Sequence, residues 1–342
     1  MSQFDYIKEI ARYGLENDQE SLTSKLNELI EHSKKTKKVN FAIQLQSILK
    51  ESLSKQKTSS LTKFGSDAYH QRIEDKELSE IILEKLTSDY SLKNLVAEDK
   101  IIEQLHFFLK EHTSIKLLQQ FDLPVSNKVL LHGPSGCGKT LASYVIAGEL
   151  KKLMYVVNLG AIVSSKLGDT SKNLAKLFRR AASEECIIFI DEFDSIGKLR
   201  DYNQDHGEMK RVVNTILQLF DYLPQKSIVI AATNQKDMID EALLRRFDLN
   251  IAFPLPDTDK IKDLINLTLK SGQFQFDKPR TVNTIIKKAV GLSYYSIQKT
   301  LITAIKRSIF EQDHENNKPI ATLINTKLWG ELVDDEKIAL SK

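Results

Sequence analysis

Five short runs of almost wholly apolar residues recur between residues 128 and 253, and they constrain the fold more than any other feature of the sequence. Stretches long enough to form helices separate consecutive runs. Strands of a parallel sheet are covered on both faces, so they read as continuous apolar runs and not as an alternating pattern. The sequence therefore predicts an α/β fold with a parallel five-stranded sheet flanked by helices. The predicted strands are Lys128–His132, Met154–Leu159, Cys186–Asp191, Ser227–Thr233 and Leu249–Phe253.

The composition divides the chain into four regions. Residues 1–53 carry apolar positions at three- and four-residue spacing, which predicts a small module of three helices. Residues 54–90 begin with a stretch rich in Ser, Lys, Gln and Thr, and we expect them to be a linker. Residues 91–256 contain the predicted sheet. No strand-like run follows, so residues 257–342 are predicted to form a helical subdomain.

Charge, cysteine content and hydropathy narrow the class of protein. A formal net charge of +3 is too small to indicate, by itself, a nucleic acid or an anionic membrane as partner. The two cysteines provide neither a disulfide framework nor the spacing of a zinc site. The sequence shows no signal-peptide pattern, and no apolar run reaches the ~18 residues needed to span a membrane. We therefore expect a cytoplasmic protein without a membrane partner.

A glycine-rich segment separates the first predicted strand from an Ala- and Leu-containing segment of helical length. It matches the pattern G-x-x-x-x-G-K-[ST], in which backbone N–H groups surround a phosphate and glycine lets the backbone come close. Lys139 is expected to reach the β- and γ-phosphates, and the Thr140 hydroxyl to bind Mg²⁺. The segment therefore predicts a nucleotide site. Its residues are Gly133, Pro134, Ser135, Gly136, Cys137, Gly138, Lys139 and Thr140, followed by Leu141.

Two carboxylates, Asp191 and Glu192, lie where the third predicted strand ends. Ligands of open α/β sheets bind at the carboxyl ends of the strands, so both side chains are expected near the phosphate loop. Asp191 suits a residue that holds Mg²⁺ through water, and Glu192 suits one that orients and polarises an attacking water molecule. An Asp-Glu pair after a strand is also a common helix N-cap, but the phosphate loop in the same chain favours the catalytic interpretation.

With these two motifs the chain resembles the AAA ATPases, and the similarity extends from about Leu95 to Ser296. The resemblance implies a P-loop NTPase fold with a C-terminal helical lid. It also implies ATP and Mg²⁺ as cofactors, ATP hydrolysis as the reaction, and a ring of identical subunits, expected to be a homo-hexamer. The segment GLSYYS, residues 291–296, lacks the arginine that other branches use to sense nucleotide. This absence places the chain with the AAA branch proper.

The resemblance also implies roles for individual residues. Asn234 matches the polar residue that holds the attacking water against the γ-phosphate. Arg245 and Arg246 match paired arginines that reach the site of a neighbouring subunit, where a guanidinium offsets transition-state charge. The alternative for these two is an ordinary surface pair engaged in salt bridges. Leu95 and Val96 match apolar residues that pack on the adenine.

The chain departs from the family pattern in the loop expected to line the central pore. AAA unfoldases carry an aromatic–apolar–glycine triplet there, which grips polypeptide. Lys166, Leu167 and Gly168 occupy the triplet here, so the aromatic is missing. A lysine offers an apolar stem and a mobile charge in place of a flat ring. The alternatives are weak gripping, an acidic or nucleic-acid substrate, or an ordinary exposed lysine.

Three functions are compatible with these features. The preferred hypothesis is an ATP-driven remodeller of protein substrates. A loose similarity to bacterial AAA proteins encoded beside a subtilisin-like serine protease suggests a separately encoded protease as its partner. The second is an ATP-dependent motor or switch that acts on nucleic acid. The near-neutral net charge argues modestly against this second function and does not exclude it. The third is a scaffold whose ATPase gates assembly, and the complete set of catalytic residues argues against it.

Overall fold

The chain forms two compact units in the computed structural model, Met1–Lys63 and Phe64–Lys342. The structure describes residues 82–157, 167–195, 206–270, 274–311 and 322–340, together with strand 68–70 and nine positions between 6 and 32.

The first unit is helical at every position that the structure describes. Lys25 Nζ lies 3.3 Å from Glu9 Oε2, and the ring centroids of Tyr6 and His32 are 5.5 Å apart. These contacts pack two helical segments against each other in antiparallel directions. The third predicted helix lies outside the described residues, so the three-helix module stays a prediction.

Seven strands in the described part of the second unit form one sheet: β1 (Ala68–His70), β2 (Ile82–Ser88), β3 (Lys128–His132), β4 (Met154–Val157), β5 (Ile187–Ile190), β6 (Ile228–Thr233) and β7 (Leu249–Ala252). Their spatial order is β1-β2-β4-β5-β6-β3-β7. The five strands from β4 to β7 in this order pair in parallel. They coincide with the five apolar runs, so the predicted parallel sheet is confirmed.

Two antiparallel strands, β1 and β2, extend the sheet at one edge, inside the 54–90 region predicted to be a linker. The linker prediction is wrong for these residues. Ile82 and Leu86 of β2 are buried, whereas Glu84 and Lys85 between them are partly exposed. Because polar residues interrupt its apolar ones, β2 lacks the continuous apolar run that marks the five parallel strands.

Helices cover both faces of the parallel strands. Val129, Leu130 and Leu131 have side chains that alternate between the two faces, and all three are fully buried. Within the described residues, no helix is long and apolar enough to cross a membrane. The α-helices that the structure describes in the second unit are α1 (Asp99–Thr113), α2 (Ile115–Gln120), α3 (Lys139–Glu149), α4 (Leu167–Glu184), α5 (His206–Asp221), α6 (Glu241–Leu244), α7 (Thr258–Thr268), α8 (Pro279–Ala289), α9 (Tyr294–Glu311) and α10 (Thr326–Leu340).

The C-terminal part combines helices α7 to α10 with a short parallel ladder of β8 (Phe274–Phe276) and β9 (Thr322–Ile324). The sequence predicts only helices here, and the ladder corrects that expectation. Three-residue strands are too short to produce a recognisable periodic pattern. Trp329 of α10 is fully buried, and its ring stacks on Phe276 with centroids 5.3 Å apart, so the ladder and the last helix share one core.

Candidate nucleotide site

The phosphate loop, residues 133–140, connects β3 to α3 at the carboxyl edge of the sheet. Gly133 has a φ of +141°, and a Cβ at this position would lie 2.1 Å from the Phe253 carbonyl oxygen. Gly138, with a φ of +93°, immediately precedes the first turn of α3. Both conformations favour glycine strongly, and the first leaves no room for any other residue. The start of α3 supplies unpaired N–H groups and the positive end of the helix dipole, which suit a phosphate.

Lys139 extends its ammonium group into this loop. Its Nζ donates hydrogen bonds of 2.8 Å to the carbonyl oxygens of Gly133 and Pro134, and a third of 2.8 Å to Asn234 Oδ1. Burial lowers the pKa of Lys139, while the nearby Asp191 carboxylate acts in the opposite direction. A buried cation whose hydrogen-bond partners are neutral oxygens is well suited to accept a negatively charged ligand.

Thr140 and Asp191 bring two oxygen donors together at the end of the loop. Thr140 Oγ1 donates to Asp191 Oδ2 at 3.0 Å, although 51 residues separate them in the sequence. The second carboxylate oxygen of Asp191 accepts a 2.9 Å hydrogen bond from the backbone N–H of Glu192. Mg²⁺ binds hard oxygen ligands and usually takes only one or two from the protein, keeping waters and phosphate oxygens for the rest. The chemistry of this pair therefore fits Mg²⁺.

Glu192 has an unusual backbone conformation with a φ of +50°. Left-handed conformations of non-glycine residues are costly and concentrate at functional sites. Hydrogen bonds hold the turn: the Glu192 carbonyl accepts from the Ser195 N–H at 2.8 Å, and the neighbouring Phe193 is fully buried. Glu192 itself is exposed at the carboxyl edge of the sheet. The fold thus presents this carboxylate to solvent beside Asp191, as a water-activating residue requires.

Two segments distant in the sequence also contact the phosphate loop, one around Leu95 and one around Tyr295. Leu95 Cδ1 lies 3.6 Å from the position that a Cβ on Gly138 would occupy. The lid contributes a hydrogen bond of 3.0 Å from the Tyr295 N–H to the Gly136 carbonyl oxygen, and Tyr295 is 53% exposed. Leu95 is buried and Val96 partly buried. The structure therefore brings Leu95 and the 291–296 segment to the phosphate loop, and the packing of Leu95 and Val96 on the adenine stays a prediction.

Comparison with known proteins decides the family. The model of the "ATPase family associated with various cellular activities (AAA)" matches residues 129–255. An uncharacterized AAA family ATPase of Sinorhizobium fredii is 33% identical over 230 residues, which cover 67% of this chain and 68% of that protein. The chain belongs to the AAA family of ATPases. This AAA ATPase is therefore an ATP hydrolase.

Other relatives share a smaller part of their length with this AAA ATPase. A putative 26S proteasome regulatory subunit homolog of Methanocaldococcus jannaschii is 30% identical over 221 residues, covering 64% of this chain and 58% of that protein. A ribosome biogenesis ATPase of Saccharomyces cerevisiae is 30% identical over 209 residues, covering 58% of this chain and 25% of that protein. The chain thus spans less than two thirds of either protein.

The ion pairs of Arg245 and Arg246 involve residues outside the phosphate loop of their own chain. Arg245 forms an ion pair with Glu241 at 2.9 Å, and Arg246 forms one with Asp221. The Arg245 side chain is 79% exposed and that of Arg246 is 45% exposed. Exposed ion pairs of this kind contribute little stability, ~0–1 kcal/mol. Both guanidinium groups are therefore accessible at the surface, and their role in a neighbouring site stays a prediction.

The predicted pore triplet is only partly within the described residues. Lys166 lies outside them, and Leu167 and Gly168 form the first turn of α4. The expectation that Leu167 belongs to a loop before the helix is therefore corrected. The segment "LGDTSKNLAKLF" has apolar residues at helical spacing from Leu167 onward, and this periodicity extends the helix back to that residue.

Sequence reasoning missed a buried pair beside the site. Asp194 and Thr233 are 4% and 1% exposed, and the Thr233 hydroxyl donates to Asp194 Oδ1 at 2.9 Å. Asp194 follows Asp191 by three residues and Thr233 precedes Asn234, so both neighbour residues that the sequence does single out. Asp194 lies within three residues of two other carboxylates, Asp191 and Glu192, so nothing in the local sequence marks it as the one that is buried with a partner.

Proposed function

We propose that this AAA ATPase is a ring-forming machine that hydrolyses ATP to remodel protein substrates. One observation carries the proposal. The phosphate loop, the oxygen pair of Thr140 and Asp191, and the exposed Glu192 lie together at one edge of the sheet, while two exposed arginines lie elsewhere on the surface. A site that needs guanidinium groups from a second subunit is complete only in an assembly, which supports a ring and, by family resemblance, a hexamer.

In the proposed reaction, Lys139 leaves its carbonyl partners and binds the β- and γ-phosphates. Thr140 and Asp191 would hold Mg²⁺, which supplies charge neutralisation at the phosphate oxygens when bound. Glu192 polarises the attacking water, and Asn234 holds it in line. Arg245 and Arg246 of a neighbouring subunit offset the charge that develops in the transition state.

A protein substrate is favoured by the archaeal relative, whose description is that of a putative proteasome regulatory subunit homolog. The nucleic-acid alternative has in its favour the lysine at position 166 of the predicted pore triplet. The net charge of +3 gives it little support. The separate serine protease and the cytoplasmic location remain predictions from the sequence.

Stimulation of ATP hydrolysis distinguishes the two substrate classes. We expect an unfolded polypeptide to raise the ATPase rate and single-stranded DNA to leave it unchanged. Leu167→Ala should keep basal ATP hydrolysis but lose stimulation by polypeptide, whereas Leu340→Ala, at an exposed position of the last helix, should lose neither. Stimulation by DNA alone, reduced in Lys166→Ala and weakened by salt, would replace the protein remodeller with the nucleic-acid motor.

A further inference from the structure

The turns that follow β5 and β6 are joined to each other beside the nucleotide site. The Phe193 N–H donates to the Ala232 carbonyl oxygen at 2.8 Å, and the Thr233 hydroxyl donates to Asp194 Oδ1 at 2.9 Å. The same hydroxyl oxygen accepts a 3.0 Å hydrogen bond from the Gln235 N–H. We call these three hydrogen bonds the brace.

The brace lies between the two residues proposed to position the attacking water. Glu192 immediately precedes Phe193 on one side, and Asn234 lies between Thr233 and Gln235 on the other. The Gln235 bond closes the turn that carries Asn234, and the Asp194 bond fixes that turn to the segment after Glu192.

Thr233 also contacts the phosphate loop. Its carbonyl oxygen accepts a 3.3 Å hydrogen bond from the Gly133 N–H. One residue therefore connects the three parts of the site: the glutamate turn, the asparagine turn and the loop. Thr233 is 1% exposed, so water does not compete for its hydroxyl group.

We propose that Thr233, with Asp194 as its acceptor, is a positioning residue that sets the separation of Glu192 and Asn234 around the attacking water. The inference rests on the proposed roles of Glu192 and Asn234. A hydroxyl group suits this task because it donates to one turn and accepts from the other at the same time. A carboxylate acceptor makes the connecting bond stronger than a neutral one would be. Catalysis depends steeply on such placement, and an error of ~1 Å can cost about 100-fold in rate.

Thr233→Val tests the inference because valine has the shape of threonine without the hydroxyl group. We expect kcat for ATP hydrolysis to fall about 10- to 100-fold while KM and the Kd for Mg²⁺-ATP change less than about threefold. Thr233→Ser keeps the hydroxyl group and should restore most of kcat. Thr268→Val is the matched control, because Thr268 is fully buried in α7 and its hydroxyl bonds to its own helix at 2.7 Å.

Two further variants separate positioning from folding. Thr233→Val leaves the Asp194 carboxylate buried without this donor, so it is expected to lower the unfolding temperature. Asp194→Leu combined with Thr233→Val removes the carboxylate together with this hydroxyl donor, so the double variant should be more stable than Thr233→Val alone but should not recover kcat. Thr233→Val added to Asn234→Ala should cost little more than Asn234→Ala alone, because both changes disable the same water-holding group.

Several outcomes would overturn the inference. They are a wild-type kcat in folded Thr233→Val, a parallel loss of nucleotide binding and stability with kcat per folded molecule intact, or recovery of kcat in the double apolar variant. Glu192→Gln and Asn234→Ala are measured alongside. If these two hydrolyse ATP at the wild-type rate, the catalytic roles themselves are refuted, which is distinguishable from a failure of the brace alone.

Discussion

Lys139 Nζ lies 2.8 Å from Asn234 Oδ1, across 95 residues of sequence. The first residue belongs to the phosphate loop and the second follows β6, so the contact joins the residue proposed to bind the phosphates to the residue proposed to hold the attacking water. Parallel strands β3 and β6 are neighbours in the sheet, and their carboxyl ends therefore meet at one edge.

Replacing Lys139 and Glu192 one at a time should separate binding from hydrolysis. Lys139→Ala removes the cation for the β- and γ-phosphates, and we expect ATP affinity to fall about 10- to 100-fold. Glu192→Gln removes only the activation of water, so ATP affinity should stay near that of the wild type while kcat falls about 100-fold or more. Calorimetric binding and steady-state turnover measure the two effects. Equal losses of binding in both variants would contradict the assignment.

The pair of Thr140 and Asp191 should set the Mg²⁺ requirement. Asp191→Asn removes the negative charge of one proposed ligand. Thr140→Val removes the hydroxyl oxygen of the other and keeps the shape of the side chain. We expect the Mg²⁺ concentration for half-maximal ATPase activity to rise in both, and more in Asp191→Asn because it loses a charge. Asp259→Asn, at an exposed position on α7, is the control. An unchanged Mg²⁺ dependence in both site variants would refute this ligand pair.

Alanine substitutions at three glycines should separate two contributions to the loss of unfolding free energy, backbone strain and steric clash. Gly291→Ala places a side chain at a φ of +94° with nothing within 4 Å, and should cost ~1–2 kcal/mol of unfolding free energy. Gly148→Ala puts a Cβ 2.0 Å from the Tyr90 carbonyl oxygen in a helical conformation. Gly133→Ala combines a φ of +141° with a 2.1 Å clash and should be the most destabilising of the three. Chemical denaturation measures all three, and a Gly133→Ala variant no less stable than Gly291→Ala would contradict the close approach of this loop to Phe253, the residue after β7.

The sequence predicts the parallel core well because strands buried on both faces are continuous apolar runs, and five such runs are visible in the sequence. Thr140 and Asp191 are predictable because each belongs to a short local motif, the phosphate loop and the apolar run that ends in Asp-Glu. The Asp194–Thr233 pair is not, because its two members are 39 residues apart and only the folded sheet shows which polar groups meet. Strand β2 is missed because polar residues interrupt its apolar ones, so it lacks a continuous apolar run.

Exposure of Arg245 and Arg246 leads to the last prediction, that hydrolysis is shared between subunits. Arg245→Ala and Arg246→Ala should bind ATP like the wild type but hydrolyse it about 10³-fold more slowly or worse, because transition-state charge is left without its guanidinium. Arg179→Ala, another exposed arginine, is the control and should keep its activity. Mixing Arg246→Ala with Lys139→Ala subunits should restore part of the activity, since each subunit supplies the group that the other lacks. Activity per subunit that is independent of protein concentration, together with no recovery on mixing, would show instead that each chain hydrolyses ATP alone and that the arginines serve only their ion pairs with Glu241 and Asp221.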